Sequence, residues 1–279
     1  MWYYEKLFSD VKLGLEGKII YKKKSPYQNI VIYQTPLLGR ILFLDDTIQT
    51  TEKDNFVYHE MLTHPLLLSH PSPNKILVIG AGDGGVLREV LKHDVEKVYL
   101  VEIDREVIEV SKKYLKSICG NSFNDKRAEI IIEDGAKFVQ NKEENFDIVI
   151  VDSPDPMGVA KVLFSQKFYQ DIFSLLNEDG MMIRQTGSSI LQPKELRENY
   201  NRLKRIFPKV IPMVAACPTY IIGFFTFLIA CKGRTPIDIS SQDLNRKYEE
   251  KKLRTKYYNP EIHFASFSLP NYIKGGIEE

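Results

Sequence analysis

One stretch constrains this chain more than any other. An apolar run at residues 76–79 leads into Gly80-Ala81-Gly82-Asp83-Gly84-Gly85, and a helical pattern follows over 86–92. Gly80, Gly82 and Gly85 satisfy G-x-G-x-x-G in the order strand, turn, helix that gives the motif meaning. Five small residues in six positions imply that something approaches this backbone closely. A tight turn with no ligand is the plainer alternative. Asp83 is the unusual member, because a carboxylate here repels phosphate and attracts a cation. That argues against a dinucleotide, whose pyrophosphate sits at such a helix start. It suits a ligand without phosphates that carries positive charge.

Strands and helices alternate after the loop. Strands are expected at 97–102, 130–132 and 148–151, and helices at 106–115, about 165–176 and 193–206. Alternation of this kind predicts an α/β fold with a mostly parallel sheet covered on both faces. Ligands of such sheets lie beyond the carboxyl ends of the strands. Carboxylates stand at those ends. Glu102 follows Gly82 by twenty residues, the place of a group that accepts from both ribose hydroxyls. Asp134-Gly135 closes the third strand and is placed for the adenine amine, although Asp-Gly is also common in turns. Together with Asp83 these make an adenosyl compound the economical ligand.

The fourth strand ends in Val151-Asp152-Ser153-Pro154-Asp155-Pro156-Met157-Gly158. Its prolines and glycine shape a loop that presents Asp152 and Asp155 at the same edge as Asp83. Capping and turn roles for these two are the alternative. Alkylation of an amine needs the neutral amine, yet alkylamines hold their proton up to a pKa of roughly 10.4. A carboxylate in an apolar site can accept that proton. Tyr58 and Tyr220 are candidates to line the groove and hold ammonium groups by cation–π attraction. His59-Glu60 suggests a metalloprotease, but the next histidine is His64, at i+5, so the H-E-x-x-H zinc geometry fails. No metal site is expected.

The residues before the loop read differently. Alternating runs at 30–33 and 40–44, with a turn at Leu38-Gly39-Arg40, predict a small β domain. Residues 55–69 turn helical, with Phe56, Met61 and Leu67 expected to be buried. A linker at 71–74 follows. We divide the chain into an N-terminal β domain, 1–60, and a Rossmann-like domain, 61–279, whose tail from about 232 reads as polar with an apolar finish at 264–272. Residues 210–231 lack charge and are long enough to span a bilayer, but Pro212, Pro218 and Gly223 interrupt them. Two buried strands joined near 218–223 fit better.

Charge is balanced, with 38 basic and 37 acidic side chains and a formal net charge of +1. No global field therefore steers nucleic acid or anionic lipid to the chain. Hydrophobic residues make up 43%, enough for a packed core. Cys119, Cys217 and Cys231 form no C-x-x-C pair and are odd in number, which fits a reducing compartment and hence the cytoplasm. The start Met-Trp-Tyr-Tyr-Glu-Lys lacks the pattern of a signal peptide.

Taken together, these residues resemble the spermidine synthase, or polyamine aminopropyltransferase, family. The resemblance is carried by Tyr27-Gln28, Leu44-Asp45, Gln49-Thr50-Thr51-Glu52 and Tyr58-His59-Glu60-Met61. It continues through the glycine loop with Val86-Leu87-Arg88-Glu89, then Val101-Glu102-Ile103-Asp104, Asp134-Gly135-Ala136 and the Asp152 loop. Pro218-Thr219-Tyr220 and Lys256-Tyr257-Tyr258-Asn259-Pro260-Glu261-Ile262-His263 complete it.

The resemblance implies a small N-terminal β domain on a seven-stranded methyltransferase-like sheet, assembled as a homodimer or homotetramer. It implies transfer of an aminopropyl group from decarboxylated S-adenosylmethionine, a co-substrate and not a tightly bound cofactor. The acceptor would be a polyamine such as putrescine, with release of 5′-methylthioadenosine. Agmatine, cadaverine or a longer polyamine is the alternative acceptor, and methyl transfer from intact S-adenosylmethionine the remoter one. In the family the position of Asp152 is the proton acceptor. Positions matching Gln28, Leu44, Gln49, His59, Asp83, Glu102, Ile103, Asp134, Gly135 and Val159 hold the donor. Those matching Tyr58, His59, Asp83, Asp152, Asp155, Gln185 and Tyr220 surround the aminopropyl and amine groups.

The sequence departs from the family at three places. Ala81 replaces a glycine and should be tolerated. Val159 replaces a proline, which should loosen the lid over the adenine. Gly187 stands where putrescine enzymes of the family carry a glutamate, which removes a carboxylate from the far amine subsite and is expected to open space there.

Overall fold

The computed structural model describes residues 1–154 and 158–278. Its N-terminal part begins with a short antiparallel pair, β1 (Trp2–Tyr4) and β2 (Gly14–Glu16). An antiparallel sheet of β3 (Lys18–Lys24), β4 (Asn29–Thr35), β5 (Gly39–Leu44) and β6 (Thr47–Thr51) follows in that order. Alternation gives this sheet two apolar faces. Ile30, Ile32, Leu42 and Leu44 pack with Val107, Val110, Leu115 and Ile118 of the larger part, while Val31, Tyr33, Ile41 and Phe43 form a separate cluster with Ile48. The first cluster fixes the small sheet over the mouth of the large one.

Helix α1 (Asn55–Ser69) crosses the division expected at 60/61 and is buried along almost its whole length. A helix apolar all round lies inside a protein. Met61 and Leu67 are buried as expected. Phe56 is only partly buried and sits at the rim of the core, where the helix starts at the surface.

The larger part continues with β7 (Lys75–Gly80), α2 (Gly85–Val90), β8 (Lys97–Glu102), α3 (Arg105–Tyr114), α4 (Lys116–Cys119), β9 (Ala128–Ile132), α5 (Gly135–Asn141) and β10 (Phe146–Asp152). Then come α6 (Gln166–Leu175), β11 (Leu176–Ser188), α7 (Pro193–Lys204), β12 (Lys209–Ala215) and β13 (Phe225–Cys231). The sheet has seven strands in the order β12-β13-β11-β10-β7-β8-β9. Five are parallel, and β13 and β12 add an antiparallel edge. Ile76 and Val78 of β7 face a core built with α1 and α2, and Leu77 and Ile79 face the opposite core. This alternation places helices on both faces.

The charge-free stretch at 210–231 is the β12–β13 pair with its connection, and no helix among the described residues is long and apolar enough to cross a membrane. The tail is more structured than its polarity suggested. It carries α8 (Ser241–Glu250), α9 (Pro260–Ala265) and α10 (Asn271–Glu278). Glu60 holds part of it, its carboxylate accepting from the N–H groups of Lys256, Tyr257 and Tyr258 at 2.8–2.9 Å.

The chain runs outward from β7 through β8 and β9 and returns on the other side of β7 as β10. The order reverses between β7 and β10, where an open α/β sheet leaves a crevice for ligand. Gly80 and Asp152 face each other across that point.

Candidate active site

Gly80 must be glycine. Its φ is +85°, and a Cβ there would lie 1.9 Å from the Asp152 carbonyl oxygen. The close approach lets Ala81 N–H donate to that carbonyl at 3.0 Å. Ala81 itself adopts φ +58°, so the alanine is accepted only in a left-handed conformation. Asp83 then turns back over the start of α2. Its Oδ1 accepts from Gly85 N–H at 2.8 Å and its Oδ2 lies 3.0 Å from His59 Nε2. The helix start is thus already occupied by a carboxylate, as the argument against pyrophosphate required. Gly85 makes room for the imidazole, since a Cβ there would meet the His59 ring at 2.1 Å.

Burial opposes charge on both members of this pair, yet their mutual attraction outweighs it. The Asp83 carboxyl is held below its ordinary value and His59 above its own. Asp152 stands beside them, and one ligand atom from each of the three lies within 4.8 Å of the others. Two carboxylates and an imidazole thus converge at the end of β10.

Asp152 ends β10 and keeps some exposure to the cavities it borders. The Tyr58 hydroxyl donates to its Oδ1 at 2.6 Å. Desolvation, with the Asp83 charge adding to it, pushes the carboxyl up to about 6, against the opposing pull of His59 and Tyr58. Burial and the Asp152 charge in turn keep the Tyr58 hydroxyl well above its usual range, so it remains a donor.

Two chambers meet at this carboxylate. The first encloses about 920 Å³, part of it open to solvent. Gln28, Leu44, Gln49, His59, Asp83, Glu102, Ile103, Asp134 and Gly135 all line it, as do Tyr58 and Asp152. Glu102 is buried, its carboxylate accepts from Asp104 N–H at 2.8 Å, and desolvation pushes it up to about 7. Asp134 caps α5 through Ala136 N–H at 2.8 Å and also faces the chamber. Capping and ligand binding are therefore compatible at this residue. Asp104 holds Gln28 in place by accepting from its Nε2 at 3.0 Å.

The second chamber encloses about 610 Å³ and shares Gln49, Tyr58, Asp152, Ser153 and Pro154 with the first. Gln185 and Tyr220 line it; His59 and Asp83, expected to serve both substrates, line the first alone. Tyr220 O–H donates to the Gln49 carbonyl at 2.5 Å, and its ring packs on Phe225 at 4.5 Å. Ser153 Oγ and Gln185 Oε1, both on residues lining the second chamber, are buried without a hydrogen-bond partner among the described residues. Asp155 lies outside the described residues, and so does the side chain of Val159. Leu163, from the turn Gly158–Phe164, covers the first chamber together with Ala160.

Sequence reading missed several walls of the second chamber, notably Glu5, Phe8, Gln192 and Phe225. Glu5 is buried and accepts from Ile48 N–H at 3.0 Å. One expectation is corrected. The place above Gly187 is not open: a Cβ there would lie 2.1 Å from Gln192 Oε1, so the Gln192 side chain fills it.

Comparison with known proteins agrees with this geometry. The family model described as "Spermine/spermidine synthase domain" matches residues 55–240, and "Spermidine synthase tetramerisation domain" matches residues 2–52. A polyamine aminopropyltransferase of Caldicellulosiruptor bescii is 45% identical over 98% of this chain and 97% of its own. One of Clostridium tetani is 41% identical over 98% of this chain and 96% of its own. The crystal structure of a spermidine synthase in complex with the transition-state analogue AdoDATO is 41% identical, with a TM-score of 0.95 over 100% of this chain and 95% of that one. Spermidine synthase from Thermotoga maritima is 40% identical, with a TM-score of 0.92 over 100% of this chain and 94% of that one.

Proposed function

The chain belongs to the spermine/spermidine synthase family, and on that premise we propose that it transfers the aminopropyl group of decarboxylated S-adenosylmethionine to putrescine. It is a polyamine aminopropyltransferase, and the acceptor is our own assignment. The observation that carries the reading is Asp152, a carboxylate raised to about 6 where a donor-sized chamber meets a second, aromatic-lined one.

The donor lies in the first chamber, its ribose hydroxyls donating to Glu102 and its adenine beside Asp134. Its sulfonium and aminopropyl ammonium face His59, Asp83 and Asp152. Intact S-adenosylmethionine would bring a carboxylate against Asp83, a like-charge contact that disfavours it. The amine enters from the second chamber between Tyr58 and Tyr220. Its nitrogen lone pair attacks the aminopropyl carbon bound to sulfur, and the C–S electron pair returns to sulfur, leaving a neutral thioether. The nitrogen's proton passes to Asp152, whose raised pKa suits a base working near neutrality. Tyr58 holds that carboxylate towards the nitrogen. Gln185 and Asp155 are assigned to the acceptor, with Glu5 for its second ammonium. Gln28, Leu44, Gln49, Ile103, Gly135 and Val159 are assigned to the donor.

We also propose that the N-terminal sheet serves assembly into a homodimer or homotetramer. Residues 1–60 and 61–279 are the proposed division. Three free, buried cysteines support a cytoplasmic setting.

The test is competition. With decarboxylated donor and equal putrescine, cadaverine, agmatine and spermidine, mass spectrometry should find spermidine first, with 5′-methylthioadenosine in equal amount. Methylated products from intact S-adenosylmethionine, without aminopropylated ones, would sink the reading.

A further inference from the structure

One wall of the second chamber is built in an unusual way. Strand β11 bulges between Gln185 and Gly187, and Gly187 takes φ +77°. A side chain at 187 would be strained by that backbone and would collide with Gln192. Gln192 is held there from both sides by one residue: Ser188 N–H donates to its Oε1 at 3.0 Å, and its own N–H donates to the Ser188 carbonyl at 2.9 Å. The amide's orientation is fixed by this, because only the oxygen can accept from Ser188. Ser188 is further tied to the connection before β13, its hydroxyl donating to the Ile222 carbonyl. Gln192 lines the chamber.

From this arrangement we propose that Gln192 is the end stop of the acceptor chamber and determines which amines fit. Its carboxamide occupies the volume that a side chain at 187 would need. It closes the chamber with a rigid, uncharged group. Acceptor length is limited by the body of Gln192, which puts no carboxylate at this wall. Among the described residues lining the chamber, Glu5 and Asp152 are the acids, so a diamine has one carboxylate for each nitrogen and a longer polyamine meets the amide.

This inference rests on the aminopropyl-transfer reading, and the experiment separates the two. The full-length chain, Gln192→Ala and Gln192→Glu are each given decarboxylated donor with putrescine, spermidine or n-butylamine, and products are quantified by mass spectrometry. Gln192→Ala should raise the spermidine-to-putrescine ratio of kcat/KM at least tenfold, because the stop is removed. Gln192→Glu keeps the shape and the bond from Ser188 but adds a negative charge. It should leave the length preference in place and raise the putrescine-to-butylamine ratio several-fold. Normal turnover with both ratios unchanged overturns the proposal. If Gln192→Ala does not fold, the near-isosteric Gln192→Glu decides alone, an unmoved diamine-to-monoamine ratio being the refuting result. Absence of aminopropyl transfer by the unaltered chain to any amine refutes the underlying reading instead.

Discussion

The Tyr58 hydroxyl donates to Asp152 Oδ1 at 2.6 Å, joining the buried helix α1 to the end of β10. The bond does two things. It orients the carboxylate, and it favours the ionised form against the desolvation that raises it to about 6. A hydrogen bond to a charged group is worth about 1.5–3 kcal/mol, enough to move a pKa by roughly one unit.

Tyr58→Phe should therefore push Asp152 further up. With Asp152 as the proposed base, activity is lost as pH falls through its pKa, and the acid limb of kcat/KM should move from about pH 6 towards 7. The plateau should fall about tenfold through lost orientation, against roughly 10²–10⁴-fold for Asp152→Asn. Rates between pH 5 and 9 check this. An acid limb that stays in place in Tyr58→Phe would show that the tyrosine does not tune the base.

Burial pushes Glu102 up to about 7. Hydrogen bonds from ribose hydroxyls favour a carboxylate over a carboxylic acid, so under the proposed binding mode the nucleoside lowers that pKa. Below about pH 7 the free protein carries the proton and the complex does not. Binding of 5′-methylthioadenosine should therefore release a proton there and tighten as pH rises to 7. Calorimetry in buffers of different ionisation enthalpy measures the release directly. Glu102→Gln should abolish it and weaken binding about 10–100-fold, in line with hydrogen bonds to a charged acceptor.

Legibility in the sequence followed distance along the chain. Asp83, Glu102, Asp134 and Asp152 were readable because each ends a strand or opens a helix, and an α/β sheet gathers those positions at one edge. The glycine loop was readable because Gly80 has to pass under Asp152. Glu5 and Gln192 were not. They share a chamber with Asp152 only after the N-terminal segment folds against it and β11 bulges, neither of which leaves a periodic signal. The same bulge reversed the meaning of Gly187, whose missing side chain looked like empty space. The helices of the tail were hidden because their hold includes Glu60, a carboxylate that binds backbone N–H groups nearly two hundred positions away.

The glycine loop predicts opposite effects at adjacent residues. Ala81 sits at φ +58°, a conformation that costs an L-residue about 1–2 kcal/mol. Ala81→Gly removes this, less roughly 0.5–1 kcal/mol of extra unfolded-chain entropy. The net gain should lie between about 0 and 1.5 kcal/mol, a rise in Tm of about 2–4 °C for each kcal/mol gained. Gly80→Ala brings a methyl within 1.9 Å of the Asp152 carbonyl oxygen and should lower Tm markedly. Differential scanning calorimetry distinguishes the two, and a destabilised Ala81→Gly would contradict the strain argument.

Arg184 presents the last case, a guanidinium with no solvent exposure on the strand that also carries Gln185. It lies 3.6 Å over the Phe164 ring, and its Nη1 donates to the Leu163 carbonyl at 2.8 Å and to the Tyr169 hydroxyl at 2.6 Å. Leu163 lines the first chamber, so under the proposed placement of the donor Arg184 acts on it through this turn. Arg184→Met leaves the Leu163 carbonyl without its donor, at about 1–3 kcal/mol. It also removes a buried cation whose desolvation is itself unfavourable, so the two effects on stability oppose each other. The consequence should appear in binding: donor KM should rise five- to tenfold while kcat changes less than twofold. Arg184→Lys keeps the charge but loses the planar face over Phe164 and the forked donors, and should show most of the same KM effect. Equal falls in kcat and kcat/KM with an unchanged donor KM would mean that the turn over the chamber is held by something else.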